Sequence, residues 1–410
     1  MDVPSRNEPW SVVDMVGLSP PVDCSKPYDT STLAGKTILI TGGASGFGAA
    51  FARHWASHGA HLIIGDVNDR VGEELVAELR SAPSTNPGQV IVYQHCDVTS
   101  WPDQVSLFQT AISSSPTHSI DAVVAGAGII EKGDPLTPSP TSPFDLPHNL
   151  DPSTNNNTPP PPPPLNILAV NLTGVMYTTH LALYHLPRNN NNDNNATQTT
   201  PQAKTPTPTK THTPDRHILL ISSIAGLCPL PGQTEYTVSK HAVMGLFRAL
   251  RGTAWAAHGV RVNAIAPYFV DTPLLPRAGM ALLAGAAKAE LRDVVDAATR
   301  LMADEGVRGR ALCVGPGVRV VDGGGGGGEG EGEGGVGIGG VRVVEGEGGV
   351  GGVEGERRQA VWEVYGHDYE RVEAFVWRYL AVMNLMRGVK GWVGFMSDMV
   401  GICFGRRGRR

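Results

Sequence analysis

The chain has 410 residues, a formal net charge of −6 and a hydrophobic share of 41%. That share is enough for a buried core, and the negative balance gives no electrostatic reason to expect nucleic acid as a partner. The five cysteines are scattered and lack CxxC spacing, so neither a disulfide framework nor a zinc site is predicted. With no secretory leader and no apolar run of membrane-spanning length, we expect a cytoplasmic protein without membrane association.

A strand-then-helix alternation begins at Gly35, after an N-terminal arm formed by residues 1–34. The strand candidates are short Val-, Ile-, Leu- and Ala-rich runs without strict alternation, which is typical of strands buried on both faces. We predict an α/β fold with a doubly wound parallel sheet of about seven strands and helices on both faces. The predicted strands are 36–41, 61–65, 89–94, 121–125, 217–222, 260–264 and 310–314. The predicted helices lie near 46–58, 70–81, 103–113, 165–186, 234–258 and 281–303.

Three segments of biased composition interrupt this pattern. Residues 134–164 and 187–214 are rich in Pro, Asn and Thr, and residues 323–356 consist mostly of Gly, Glu and Val. Such segments bury too little apolar area to offset chain entropy, so we interpret them as disordered surface loops. The main domain is therefore predicted over 35–315 with two insertions, followed by a linker over 323–356.

The C-terminal region, 357–410, is predicted to be a helical extension with a basic tail. Its aromatic and aliphatic residues recur at helical spacing up to residue 388, which favours packing against the main domain or a partner subunit.

The most informative segment follows the first predicted strand, where glycines occur at 42, 46 and 48. The chain must turn sharply there, and a Cβ would obstruct the close approach of a dinucleotide pyrophosphate. The amino end of the next helix can then receive the phosphates. The sequence thus predicts a dinucleotide site at Gly42, Ser45, Gly46, Phe47 and Gly48.

The end of the second strand indicates which dinucleotide is bound. Asp66 can accept hydrogen bonds from the adenosine ribose hydroxyls and would repel a 2′-phosphate, so NAD is favoured over NADP. Asp97 and Val98 follow the third strand and are predicted to flank the adenine. Gly126 follows the fourth, where small residues let the cofactor lie against the backbone.

A proton-transfer site is predicted further along the chain. Tyr236 and Lys240 are four residues apart on a predicted helix and share one face. A tyrosine titrates near pH 10, but a neighbouring ammonium and a positive nicotinamide ring both favour its phenolate. Ser223 follows the fifth strand and can hydrogen-bond the reacting oxygen.

These motifs, in this order, resemble the short-chain dehydrogenase/reductase family over roughly 35–315. Thr41-Gly42-x-x-x-Gly46-x-Gly48 matches the family's cofactor motif, and the resemblance implies a Rossmann-type sheet. It implies that Tyr236 is the general acid/base, that Ser223 orients the substrate oxygen and that Lys240 binds the nicotinamide ribose. Asn171 matches the helix asparagine that holds a water in the proton relay.

Two motifs depart from the family pattern. The usual Asn-Asn-Ala-Gly is Ala125-Gly126-Ala127-Gly128 here, and the usual Pro-Gly after the sixth strand is Pro267-Tyr268. Pro267, Val270 and Thr272 still suit binding of the nicotinamide carboxamide. This segment is similar to a branch that acts on secondary alcohols of lipid-like or polyketide substrates.

The sequence thus predicts an NAD-dependent oxidoreductase that interconverts a secondary alcohol and a ketone on a hydrophobic small molecule. Three alternatives stay open: a non-catalytic NAD-binding sensor or scaffold, a membrane- or nucleic-acid-associated protein that uses residues 392–410, and a related chemistry such as epimerisation or dehydration. By analogy with the family, helices 165–186 and 234–258 would pair subunits in a homodimer or homotetramer.

Overall fold

The structure is a computed structural model. It describes residues 18–130, 165–188, 215–228, 230, 233–275, 287–322, 337–338, 341–343, 356–364, 382 and 385. Most of the predicted loop segments, the first 17 residues of the arm and nearly all of 365–410 lie outside these ranges. The domain boundaries given above therefore stay a prediction.

Strands and helices alternate from the first glycine motif to the end of the main sheet. The strands are β1 (Thr37–Thr41), β2 (His61–Asp66), β3 (Ile91–His95), β4 (Ala122–Ala125), β5 (His217–Ile221), β6 (Arg261–Pro267) and β7 (Ala311–Asp322). The helices are α1 (Gly46–Ser57), α2 (Asp69–Ser81), α3 (Trp101–Ser114), α4 (Asn166–Leu168 continuing through Val175–His185), α5 (Thr234–His258) and α6 (Leu291–Ala303).

The first seven strands form one parallel sheet in the order β3-β2-β1-β4-β5-β6-β7. Two apolar clusters cover its two faces, so Ile38 and Ile40 pack on one side while Leu39 between them packs on the other. The predicted doubly wound fold is confirmed. The order reverses between β1 and β4, and parallel sheets of this kind bind ligands at the carboxyl edge beside that reversal.

Helix α4 contains a π-helical turn at Ala169–Gly174, which the apolar pattern of 165–186 did not indicate. The segment Asn166–Arg188 is long and apolar enough to cross a membrane. It nevertheless packs against β4, α3 and α5, and its Asn171 is fully buried. We therefore describe it as a core helix of the domain.

The predicted helix over 357–388 is wrong at its start, because Arg357–Val364 form a strand, β10. β10 pairs antiparallel with β7, which is 12 residues long and extends past the predicted end at 314. Val361, Trp362 and Val364 are residue types that suit a strand when a neighbouring edge is available. That edge comes from a distant part of the chain, so local spacing could not reveal it.

Two short strands also lie within the Gly-rich segment predicted to be disordered. β8 (Gly337–Ile338) pairs with β9 (Val341–Val343), and β9 pairs with the last three residues of β7. Val320 pairs with both Val343 and Arg357, so β9 and β10 lie on opposite sides of β7. Helix α6 begins at Leu291, and residues 287–290 before it are not helical. The predicted helical start near 281 lies outside the described ranges, which leave out residues 276–286.

A buried ion network joins the amino ends of three strands, at the edge opposite the glycine motif. Asp215, just before β5, accepts hydrogen bonds from Lys36 Nζ at 2.9 Å and from Arg261 Nε at 2.8 Å. All three side chains are almost fully buried. Burial alone would raise the pKa of the Asp215 carboxyl, but Arg261 and Lys36 outweigh it and hold this pKa well below its usual range.

We expect Asp215→Asn to lower the free energy of unfolding by about 3 kcal/mol at pH 7, because it leaves two buried cations undercompensated. A carboxyl with a depressed pKa stabilises the fold above its unfolded pKa, so the full effect is present at neutral pH. Urea denaturation measures the change. The control Glu78→Gln breaks an exposed pair with Arg53 and should cost under about 1 kcal/mol; equal losses in the two variants would contradict the assignment.

Candidate active site

Every sequence-predicted site residue lies at the carboxyl end of a strand of the parallel sheet, on the segment that follows such a strand, or on α1, α4 or α5 beside those segments. Because the strands are parallel, their carboxyl ends share one edge of the sheet. The structure therefore brings the glycine motif, the acidic strand ends and the Ser-Tyr-Lys set to a single crevice.

The glycine motif has no room for side chains at two positions. A Cβ at Gly42 would lie 2.5 Å from Cα of Ala127, and one at Gly48 would lie 2.3 Å from the carbonyl oxygen of Gly42. At Gly126 a Cβ would lie 2.9 Å from the carbonyl oxygen of Thr41. The turn is thus packed directly against the end of β4.

Gly46 is different, because a Cβ there would meet open space, while its φ of +51° is one that L side chains rarely adopt. It opens α1, so the free N–H groups and the positive end of the helix dipole face that space. This arrangement fits a dinucleotide pyrophosphate.

Ser45 and Phe47 flank Gly46. Ser45 is the exposed N-cap residue of α1 and makes no side-chain capping hydrogen bond. Phe47 stacks on Phe51, with ring centroids 6.4 Å apart, so its side chain packs along α1.

Asp66 ends β2 and is held in a fixed orientation. Its Oδ2 accepts from the Ala44 N–H at 3.0 Å, and its Oδ1 accepts from the Asn68 N–H at 3.1 Å. The remaining lone pairs of this half-exposed carboxylate stay available to ribose hydroxyls.

Asp97 and Val98 follow β3 in the loop toward α3. Asp97 Oδ1 accepts from both the N–H and the hydroxyl of Thr99 at 2.8 Å. Val98 is buried against Gly174 of the π turn, where a Cβ would approach its Cγ2 to 2.7 Å. Val98 therefore joins the loop after β3 to helix α4.

Lys240 is the central charge of the site. Its Nζ donates to the carbonyl oxygen of Ile221, the last residue of β5, at 3.1 Å, and lies 5.6 Å from the centre of the Tyr236 ring. A Cβ at Gly128 would lie 3.6 Å from this Nζ and 3.5 Å from Asn171 Oδ1. Phenol, ammonium and amide thus converge at the end of β4.

The Asn171 side chain is engaged almost completely by protein groups. Its Oδ1 accepts from the Ile129 N–H and its Nδ2 donates to the Ile129 carbonyl, both at 2.8 Å. Nδ2 also donates to Ser239 Oγ at 3.2 Å. The residue lies in the π turn, a helix irregularity that is frequent at functional sites.

Ser223 is buried at the carboxyl end of β5. Its Oγ accepts from the Ala225 N–H at 3.2 Å and contacts the carbonyl oxygen of Pro267 at 3.5 Å. Downstream of Pro267, the Val270 side chain is buried in the core, and the Thr272 carbonyl accepts from the Leu275 N–H at 3.1 Å. The structure thus brings Ser223 next to the β6 end, whereas Val270 can face a ligand only through its backbone.

Sequence reasoning missed four supporting residues. Ser239 links the backbone of Tyr236 to Asn171, and Ile129 holds the Asn171 amide. Ser222 Oγ donates to the Lys240 carbonyl at 3.0 Å, and a Cβ at Gly226 would lie 2.6 Å from that same carbonyl oxygen. Ser239 lies within the Tyr-x-x-x-Lys stretch, so its position could have indicated a role, whereas the other three carry no local signal.

The comparisons with known proteins agree with this geometry. The sequence profile described as "short chain dehydrogenase" matches residues 36–193 and 208–281, which is more than half of the chain. The chain is also similar to the 5'-hydroxyaverantin dehydrogenase of Dothistroma septosporum, with 34% identity over 302 residues, 70% of this chain and 87% of the relative. A protein of the same name from Emericella nidulans is 33% identical, again over 70% of this chain and 87% of the relative.

A solved structure shows the same fold. The 3-ketoacyl-(acyl-carrier-protein) reductase of Brucella melitensis, crystallised with NADH, matches with a TM-score of 0.50 at 23% identity. The match covers 69% of this chain and 97% of the reductase.

The burial of Lys240 leads to a prediction about stability. Burial lowers the pKa of its ammonium to about 8, whereas an unfolded lysine titrates near 10.4. Below pH 8 the charged group therefore costs folding free energy, and this cost fades as the pH rises from 8 to about 10.4.

We expect Lys240→Met to be more stable than the wild type when no cofactor is bound. At pH 7 its free energy of unfolding should be about 2 kcal/mol higher, a figure that allows for the lost hydrogen bond to Ile221. Urea denaturation at pH 7 and pH 10 should show this difference shrinking at the higher pH. The exposed Lys26→Met serves as the control. A difference that is the same at both pH values would contradict the prediction.

Proposed function

The chain belongs to the short chain dehydrogenase family, and on that premise we propose that it interconverts a secondary alcohol and a ketone on an apolar small molecule, with NAD as the preferred cofactor. As a family member it is an oxidoreductase that acts on CH–OH groups with NAD(P). The proposal goes further in the substrate class, in the choice of NAD and in the role of Tyr236.

One observation carries the proposal. The half-buried Tyr236 ring lies beside the buried Lys240 ammonium, at the edge where the glycine turn and the ends of β4, β5 and β6 meet. A buried ammonium without a counterion is costly to folding, so its burial beside a phenol calls for a functional reason. The cost is consistent with a site arranged for proton transfer.

The residues divide the work as follows. A nicotinamide cofactor, when bound, accepts or supplies the hydride. In alcohol oxidation the Tyr236 oxygen takes the hydroxyl proton, and in ketone reduction it returns a proton to the oxygen that becomes the alcohol. Ser223 Oγ donates to the same substrate oxygen and so fixes its distance from the phenol.

Lys240 acts on Tyr236 through charge. An ammonium near a phenol favours the phenolate, and burial strengthens that interaction because water screens it less. The contacts of Asn171 with Ile129 and Ser239 leave one lone pair of Oδ1 for a water on this side chain. Its main role in this proposal is to hold the end of β4 against α5.

The substrate class is inferred from the apolar residues on the segments beyond Ser223. Leu227, Leu230, Leu274 and Leu275 present apolar surface on the segments after β5 and β6. The relatives named 5'-hydroxyaverantin dehydrogenase support an alcohol substrate. We therefore infer a hydrophobic alcohol, of lipid-like or polyketide-like character, held with its carbinol carbon toward Tyr236.

The preference for NAD rests on Asp66. Its carboxylate is fixed by Ala44 and Asn68, so it cannot easily turn away from a ligand at the ribose. A 2′-phosphate placed there would meet a like charge at short range, whereas a 2′-hydroxyl can donate to the carboxylate.

We expect Tyr236→Phe to reduce turnover by about 10²-fold or more, because general acid/base catalysis contributes roughly that factor, while NADH affinity stays within about twofold. Turnover is followed by NADH absorbance with a panel of secondary alcohols and ketones, and affinity by NADH fluorescence. Tyr184→Phe removes an exposed hydroxyl on α4 and serves as the control. Undiminished turnover in Tyr236→Phe would show that another group transfers the proton, and absence of turnover in the wild type across the panel would favour the sensor or scaffold alternative.

We expect Asp66→Asn to lower the ratio of NADPH to NADH dissociation constants by about tenfold or more, because it removes the charge and keeps an oxygen for Ala44. Asp66→Ala should in addition weaken NADH, since it also removes the acceptor of the ribose hydroxyls. Titration of cofactor fluorescence gives both constants, with the exposed Asp29→Ala as control. A ratio unchanged in Asp66→Asn would remove the basis for the NAD preference.

A further inference from the structure

A titratable histidine lies beside Asp66, at the end of β3. His95 Nδ1 is 2.7 Å from Asp69 Oδ1, and the side chains of both residues are more than half exposed. Tyr93 Oη lies 2.7 Å from the same Asp69 oxygen and 2.8 Å from the backbone carbonyl oxygen of Asp66. These contacts connect the start of α2, the end of β2 and the end of β3.

The register of the sheet places this histidine next to the ribose site. Asp66 and His95 are paired residues of the parallel strands β2 and β3, which lie about 4.8 Å apart. Tyr93, two residues earlier on the same face of β3, packs against the cluster that contains α1. A phosphate on the ribose oxygen held by Asp66 would therefore lie beside the end of β3.

The surroundings of His95 are otherwise acidic. Among the described residues, the charged or titratable groups that face it from its own strand, from β2, from the start of α2 and from the loop into α3 are Tyr93, Asp66, Asp69, Asp97 and Asp103. Glu73 also acts on Tyr93, and Arg70, next to Asp69 on α2, is bound to Glu74. With a neutral imidazole, the groups that face His95 therefore contribute only negative charge. With an imidazolium, His95 adds a positive charge among them.

We propose that His95, held by Asp69 beside Asp66, sets how strongly the cofactor site rejects a ribose 2′-phosphate, and that protonation of its imidazole relaxes this rejection. The inference rests on the proposed preference for NAD through Asp66. It adds a specificity-determining residue whose charge changes with pH, at the adenosine end of the site.

The direction follows from the chemistry of the pair. The hydrogen bond to Asp69 raises the pKa of His95 above its ordinary value, so the imidazolium persists to a higher pH than in an isolated histidine. Below that pKa the cation attracts a 2′-phosphate and offsets part of the repulsion from Asp66. Above it, only the carboxylates act. NADH has no 2′-phosphate, so its binding at this end should change little.

The experiment measures binding of NADH and NADPH to the full chain by fluorescence from pH 8.5 to pH 6, without substrate. In the wild type we expect the ratio of NADPH to NADH dissociation constants to fall about fivefold across this range, the effect of one partly screened charge. In His95→Gln this ratio should fall less between pH 8.5 and pH 6. The fall that remains is caused by protonation of the 2′-phosphate itself, whose second pKa is about 6. In Asp69→Asn the His95 response should move to lower pH, because the imidazolium loses its acceptor.

His118→Asn, an exposed histidine in the turn after α3, serves as the control and should behave as the wild type. An NMR titration of the His95 ring protons in the wild type and in Asp69→Asn shows whether the binding transition follows its protonation. A ratio with the same pH profile in the wild type and His95→Gln would overturn the role of His95 and leave the NAD preference standing. Equal affinities for NADH and NADPH at every pH would overturn both.

Discussion

The site depends on one buried ammonium. Lys240 Nζ has a single protein acceptor in the described part of the chain, the carbonyl of Ile221, and burial lowers its pKa to about 8. A buried ammonium without a counterion destabilises the fold, so the surrounding residues must hold it in place. Ser222 and Gly226 fix the backbone of its helical turn, and Asn171 fixes the wall opposite it. The exclusion of water also strengthens the electrostatic effect of the ammonium on the neighbouring phenol of Tyr236.

The amino edge of the sheet carries a charge network that stabilises the fold, whereas the carboxyl edge carries the candidate active site. At the amino edge, a buried network of charged side chains is formed by Asp215, Lys36 and Arg261. Their hydrogen bonds go to one another and to backbone carbonyls, so this network has a structural role. At the carboxyl edge, the groups keep unused hydrogen-bonding capacity that a ligand can take up. The predicted insertion 187–214 precedes β5, whose amino end lies at the edge opposite the crevice. Because the closure cost of a flexible loop grows only with the logarithm of its length, a long insertion before β5 adds little to that cost.

Local patterns in the sequence predicted the elements that local physics determines. The glycines at 42 and 48 are required by backbone contacts, and the four-residue spacing of Tyr236 and Lys240 fixes their common face, so both could be predicted. β10 could not, because Arg357–Val364 become a strand only beside the long edge of β7. The π turn and the Asn171–Ile129 pairing likewise depend on contacts between distant segments, where the apolar period of α4 carries no information.

The two ends of the proposed cofactor site use charge in opposite ways. At the Tyr236 end the Lys240 ammonium is buried, so its electrostatic effect on the phenol is strong and depends little on salt concentration. At the Asp66 end, His95 and Asp69 are more than half exposed and Asp66 is half-exposed, so water screens each charge and the summed effect depends on pH and ionic strength. Proton transfer needs one strong and fixed influence on one oxygen. Discrimination between two cofactors that differ by a phosphate needs only a modest difference in free energy, which several screened charges can supply and which single substitutions can change without harm to the fold.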